Sequence, residues 1–158
     1  MYNPSAPTLT LQQSFLSRVV HVIENINRRL DFFSPVAFLF LRIWVSWQFF
    51  KSGLTKLPIE NAIVLFENEY HVPLLPPTLA AYLGTTAELA LPVLLTLGLA
   101  GRFSALGLFI LNGIAYMSYA EASLNDHLPW GLVLLLFVLN GPGKLSSDYL
   151  ISKFIQRH

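Results

Sequence analysis

Apolar residues run almost unbroken through four stretches of the chain. Residues 32–50 carry one charge, Arg42; residues 78–100 carry one, Glu88; residues 103–120 and 128–143 carry none. A helix crosses the hydrocarbon core of a bilayer with roughly 20 mostly apolar residues. The pattern therefore predicts four transmembrane helices, over about 32–57, 78–100, 103–121 and 124–140. Outside these stretches the period changes. Leu11, Phe15, Val19, Val22, Ile26, Leu30 and Phe33 recur at steps of four and three, with Arg18, His21, Arg28 and Arg29 on the other face. That is one stripe of a helix, and Thr10 with Gln13 fits a capping box at its start. Residues 1–31 thus read as an amphipathic helix lying in the membrane interface.

The connection 58–77 repeats the theme. Ile59, Ala62, Ile63, Phe66 and Tyr70 share a helical stripe, stopped by Pro73, Pro76 and Pro77, and predict an outer-loop helix. Asn140-Gly141-Pro142-Gly143 ends the fourth span, with glycine and proline where a helix stops. Ser146 or Ser147 then caps a tail helix through Tyr149, Leu150, Ile151, Phe154 and Ile155, within 144–158. The expected fold is all-α. It is an integral membrane four-helix bundle over 32–143, with N-terminal, outer-loop and C-terminal amphipathic interfacial helices.

Composition sharpens the picture. Hydrophobic residues make up 54% of the 158 and charged residues 12%, against about 25% charged in soluble domains. Mean hydropathy is +0.54. A small soluble domain needs more polar surface than this, and disorder is excluded by the same numbers. Cysteine is absent, which removes disulfides, thiolate metal sites and iron–sulfur clusters. A net charge of +1 gives no reason to expect nucleic acid as a partner. The first 31 residues hold neither a compact apolar core nor a small-residue cleavage site, so they do not read as a secretory signal. Seven Lys and Arg residues flank the spans on the side of both termini, and two, Lys51 and Lys56, lie on the other. Both termini are therefore expected in the cytoplasm. Glu60, Glu67, Glu69, Glu121 and Asp126 then all fall outside.

Charged groups inside a bilayer cost about 2.5–3.5 kcal/mol on insertion scales, so Arg42 and Glu88 need an explanation. Counting about 1.5 Å per residue from the inner ends of the spans puts Arg42, Glu88 and Asn112 at similar depth, roughly 14–18 Å in. The expectation is that they meet in the bundle interior, with Arg42 and Glu88 paired. Pro92 deprives the Glu88 carbonyl of its helical donor, leaving a free carbonyl and a carboxylate at one residue. The group reads either as a static staple between helices or as a headgroup or proton site. Trp44, Trp47, Tyr82, Tyr116, Tyr119 and Trp130 form an aromatic cluster, of which Trp47, Tyr82, Tyr119 and Trp130 suit an interfacial belt, and a planar ligand such as a quinone can use the same rings. Glu67 and His71 stand at i and i+4, and Asp126 precedes His127. Two imidazoles and two carboxylates are a candidate copper or zinc set, and His71 with His127 a candidate haem pair. The remaining histidines, His21 and His158, are on the cytoplasmic side. No phosphate loop, dinucleotide fingerprint or nucleophile elbow is present.

Arg42…Phe50-Lys51-Ser52-Gly53…Lys56-Leu57, then Phe66-Glu67-Asn68-Glu69-Tyr70-His71-Val72-Pro73, then Glu88…Pro92…Gly98-Leu99-Ala100-Gly101-Arg102, then Gly141-Pro142-Gly143…Ser146…Asp148 resemble the DoxX family from about residue 35 to 150. The resemblance implies a small four-helix protein of the bacterial inner membrane. It implies association with quinone-linked redox complexes or metal-linked pathways, and so a partner protein. It places Arg42, Lys56, Glu88 and Arg102 in family motifs. Gly141, Pro142, Gly143 and Asp148 look architectural, and Lys56 is expected to pair with Glu69 near the outer surface. Three functions follow as expectations: a quinone- or electron-transfer-associated subunit; a non-catalytic anchor or adaptor; and a small transporter or a metal- or haem-handling component. Gly98 and Gly101 permit the close helix contact of a homo-oligomer.

Overall fold

Six helices form the regular structure of a computed structural model that describes residues 6–72, 74–119 and 122–157, with side chains from residue 16 onward. They are α1 (Ala6–Thr55), α2 (Ile59–Asn68), α3 (Pro77–Leu97), α4 (Gly101–Ser118), α5 (Leu124–Asn140) and α6 (Ser147–Ile155). Among the described residues there is no strand, only a single bridge between Tyr70 and Tyr119. Two helices are long and apolar enough to cross a membrane: Leu16–Thr55 of α1, and α3. α5 is apolar but shorter, at 17 residues. The side chains of Thr10, Leu11, Gln13 and Phe15, and residues Pro73, Glu121 and His158, lie outside the described residues.

The predicted break between an N-terminal helix and the first span is absent from the backbone. α1 runs through residue 31 without interruption and carries Pro35 inside it. No glycine intervenes to stop it, and the chain divides at that proline into compact units Met1–Pro35 and Val36–His158. In the first unit the stripe residues Val19, Val22, Ile26 and Leu30 are all exposed.

In the second unit one core draws on four helices. Val45 and Phe49 of α1 meet Leu95 of α3, Ala105 and Leu108 of α4, and Leu134 and Phe137 of α5. These seven side chains are almost wholly buried, and the large apolar side chains facing away, such as Phe103, Met117 and Leu139, are exposed. An apolar exterior around a small tight core suits a hydrocarbon surrounding.

α2 lies in the connection where a helix is expected, and its stripe packs on α3. Ala62 and Phe66 pack on Ala80 and Ala81 of α3, with Ile59, Ile63 and Tyr70 alongside. The small residues at the start of α3 let this helix approach closely. α2 is thereby partnered by α3, with Ala62 and Phe66 buried and Ile59, Ile63 and Tyr70 half-buried.

Candidate functional site

The expected pairing of Arg42 with Glu88 does not occur. Arg42 is 1% exposed, and its guanidinium donates to the Pro142 carbonyl at 2.9 Å and the Leu145 carbonyl at 2.7 Å. A planar fork of donors is suited to holding two carbonyls at once. Asp148 lies close enough to act on the same guanidinium. Its carboxylate accepts from Ala100 N at 2.8 Å and Gly101 N at 2.7 Å, capping the start of α4 from a distant part of the chain. Gly98 ends α3 at φ 69°, and a Cβ there would meet Ser146 Cβ at 2.5 Å and the Arg42 guanidinium at 2.7 Å. Gly141 and Gly143 also take positive φ. Arg42, Gly98, Gly141, Pro142, Gly143 and Asp148 thus lock the C-terminal segment onto the α3–α4 turn.

Glu88 instead meets Lys56. Lys56 Nζ lies 2.5 Å from Glu88 Oε2, with both side chains below a tenth exposed. The ammonium also donates to Ser52 Oγ at 3.0 Å and stands 5.5 Å from the centre of the Tyr70 ring, a cation–π distance. The Lys56–Glu69 pair is accordingly not formed, and Glu69 is exposed. Gly53 brings α1 against this point of α3: a Cβ there would lie 3.1 Å from Glu88 Cβ and 2.9 Å from Leu89. Pro92 is buried in α3 one turn on.

An aromatic stack covers the pair. Tyr70 stacks on Phe66 and on Tyr119, each at 5.0 Å between centres. His71 N donates to the Ser118 carbonyl at 3.0 Å, tying the loop to the end of α4. Burial, and next the charge of Glu88, push the Tyr70 phenol above its ordinary range. Beside the stack, α2, α3 and α4 line a half-open cavity of about 350 Å³. Its wall is apolar, formed by residues such as Leu83, Ala87 and Leu111, and it carries Glu88, Tyr70 and Ser118. The Ser118 hydroxyl is 4% exposed and its oxygen has no hydrogen-bond partner. A buried polar atom left so is costly.

Asn112 belongs to a third place. It bonds His127, through both the backbone carbonyl and the ring, with Tyr116 against the same imidazole. The three polar groups expected at one level therefore occupy three separate sites. Tyr82 is exposed and lines none of them. Among the described residues no three His, Asp or Glu side chains gather as a metal centre requires. Glu67 and His71 border one surface hollow, Asp126 is exposed, and His127 meets Asn112 through its Nδ1. Among the described residues the four-residue copper or zinc set is not gathered into one cluster.

Lys56, Ser52, Tyr70 and Ser118 are the residues of this site that sequence reasoning did not place. A signal existed for Lys56. Pro58 forces α1 to end just before it, so depth is better counted backward from that proline than forward from the apolar run at Phe32. Arg42, 14 residues before Lys56, is then about 21 Å away from it along the helix.

The DoxX family pattern matches residues 37–120 of the chain. An uncharacterized protein of Haemophilus influenzae is 36% identical over 130 residues, covering 76% of this chain and 86% of that protein. No solved structure matches.

Proposed function

The chain belongs to the DoxX family, and on that premise we propose that it is a multi-pass protein of the bacterial inner membrane serving as a quinone-associated subunit of a redox complex. The observation that carries the proposal is the cavity of about 350 Å³ that ends on a buried Lys–Glu pair and holds one orphaned hydroxyl. An apolar cavity with a few convergent polar groups is the usual form of a small-molecule site. A quinone headgroup fits this donor set. Ser118 Oγ is the hydrogen-bond donor for a carbonyl oxygen. The Lys56–Glu88 pair is the place where a proton is held or handed on. Tyr70 and Phe66 offer flat faces to a ring. A bound quinone would supply two-electron, two-proton chemistry. The chain has no cysteine, so the electrons come from a partner protein.

In this reading α1, α3, α4 and α5 cross the bilayer, and both termini lie in the cytoplasm, in keeping with the excess of Lys and Arg on that side. The cavity then lies in the outer half of the membrane. A second reading, that of an adaptor, is favoured by the first unit. There Val19, Val22, Ile26 and Leu30 are exposed along one helix, and Arg18, Arg28 and Arg29 stand off that stripe. Such a helix suits a partner or a lipid surface.

Purification in lipid nanodiscs from quinone-containing membranes, followed by extraction, tests the proposal. Wild-type protein retains stoichiometric quinone. Ala87→Phe, which fills the cavity, loses it without loss of helix content, and Ser118→Ala retains less. Equal retention by Ala87→Phe and wild type overturns the proposal.

A further inference from the structure

On the other side of α4, Asn112 and His127 form a device that the Glu88 cavity does not use. Asn112 is 6% exposed. Its Nδ2 donates to the His127 backbone carbonyl at 2.9 Å. That bond fixes which way round the amide lies, because the reverse orientation would set two oxygens against each other. The amide oxygen is then the atom 2.9 Å from His127 Nδ1. An oxygen there accepts, so Nδ1 carries the hydrogen. In the neutral ring the lone pair is left on Nε2. A staple between α4 and α5 would need only the amide and the backbone carbonyl. The imidazole adds a hydrogen-bond acceptor of defined tautomer.

Two aromatic rings stand inclined to that imidazole, Tyr116 at 54° and Trp130 at 62°. Tyr116 and Trp130 lie 5.8 and 5.1 Å from it, between ring centres. His127 lines a groove of about 320 Å³ between α4 and α5, walled by Phe109, Tyr116, Leu128 and Leu132. Gly113, itself exposed, lines the groove, and a Cβ built on it meets nothing within 4 Å. The space is open at that point because the residue has no side chain.

We propose that the α4–α5 groove is a second ligand site, taking a lipid-soluble phenol whose ring lies among the aromatics and whose hydroxyl donates to His127 Nε2. The site shares no residue with the Glu88 cavity, so it stands or falls independently of the function proposed above.

The test uses the full chain in nanodiscs with His21, His71 and His158 replaced by Gln, so that ring nitrogen-15 NMR reports His127 alone. The probes are para-hexylphenol and its methyl ether, which keeps the ring and tail but has no hydrogen to donate. The ligand-free protein shows the Nδ1–H tautomer. The phenol moves the Nε2 resonance saturably, and the ether binds about tenfold more weakly or worse, the scale of a lost hydrogen bond. Gly113→Leu, which fills the groove where nothing obstructs it, leaves the tautomer signal in place and weakens phenol binding by a similar factor. Glu88→Gln leaves the titration unchanged. An Nε2–H tautomer, equal response to phenol and ether, or undiminished binding by Gly113→Leu each overturns the proposal.

Discussion

The Lys56 ammonium and the Glu88 carboxylate stand 2.5 Å apart in the interior of the protein, joining the residue just after α1 to the middle of α3. Two charges taken out of water offset each other only while both remain. Lys56→Met or Glu88→Leu alone is expected to cost about 3–5 kcal/mol, the cost of an unpaired buried charge. The double variant recovers much of the loss. Unfolding of the four proteins in a double-mutant cycle reads the coupling. The same cycle on Arg42 and Glu88 is additive, since those residues do not touch.

Arg42 holds two carbonyls of the segment that leads into α6. Arg42→Lys keeps the charge and loses the fork, so it is not a conservative change here. The expected outcome is faster trypsin cleavage at Lys144, which is exposed, with the rest of the chain protected. Limited proteolysis followed by mass spectrometry measures it.

Asp148 caps α4 with both carboxylate oxygens. Asp148→Ala is expected to lower stability by about 1 kcal/mol, the usual scale of a lost cap. Asp148→Asn, which retains one acceptor, falls between the two. Equilibrium unfolding in mixed micelles separates the three.

The raised Tyr70 phenol makes an alkaline prediction. In the folded protein Tyr70 keeps its proton at a pH where the unfolded chain, with the ordinary value of 10.0, has begun to lose it. Its contribution is therefore complete below about pH 10 and lost as pH rises through the higher folded value. Thermal melting across this range falls more steeply for wild type than for Tyr70→Phe.

Much of the fold was legible because local signals are strong at helix ends. α5 occupies Leu124–Asn140, where the apolar run and the Gly141-Pro142-Gly143 stop placed it. Ser146 caps α6 by accepting from Tyr149 N, as serine before an amphipathic run predicts. The site was less legible because it depends on register between helices. Depth counted from Phe32 treated the start of an apolar run as the edge of the bilayer, yet α1 continues upstream to Ala6. That shift moved Arg42 to the α3–α4 turn and brought Lys56, expected at the surface, down to Glu88. α2 lies where its stripe predicts a helix, but the stripe does not say what covers it. Its stripe is compatible with lipid or protein, and only the small Ala80 and Ala81 across from it decide for protein.

The central claim is that Glu88, paired with Lys56 at the cavity, exchanges a proton with a quinone headgroup. Infrared difference spectroscopy of the nanodisc protein, oxidised against reduced with quinone present, tests it most directly. The account predicts a carboxyl C=O stretching change on reduction that disappears in Glu88→Gln and survives in Glu67→Gln. A spectrum without such a band, or one in which the band persists in Glu88→Gln, contradicts it.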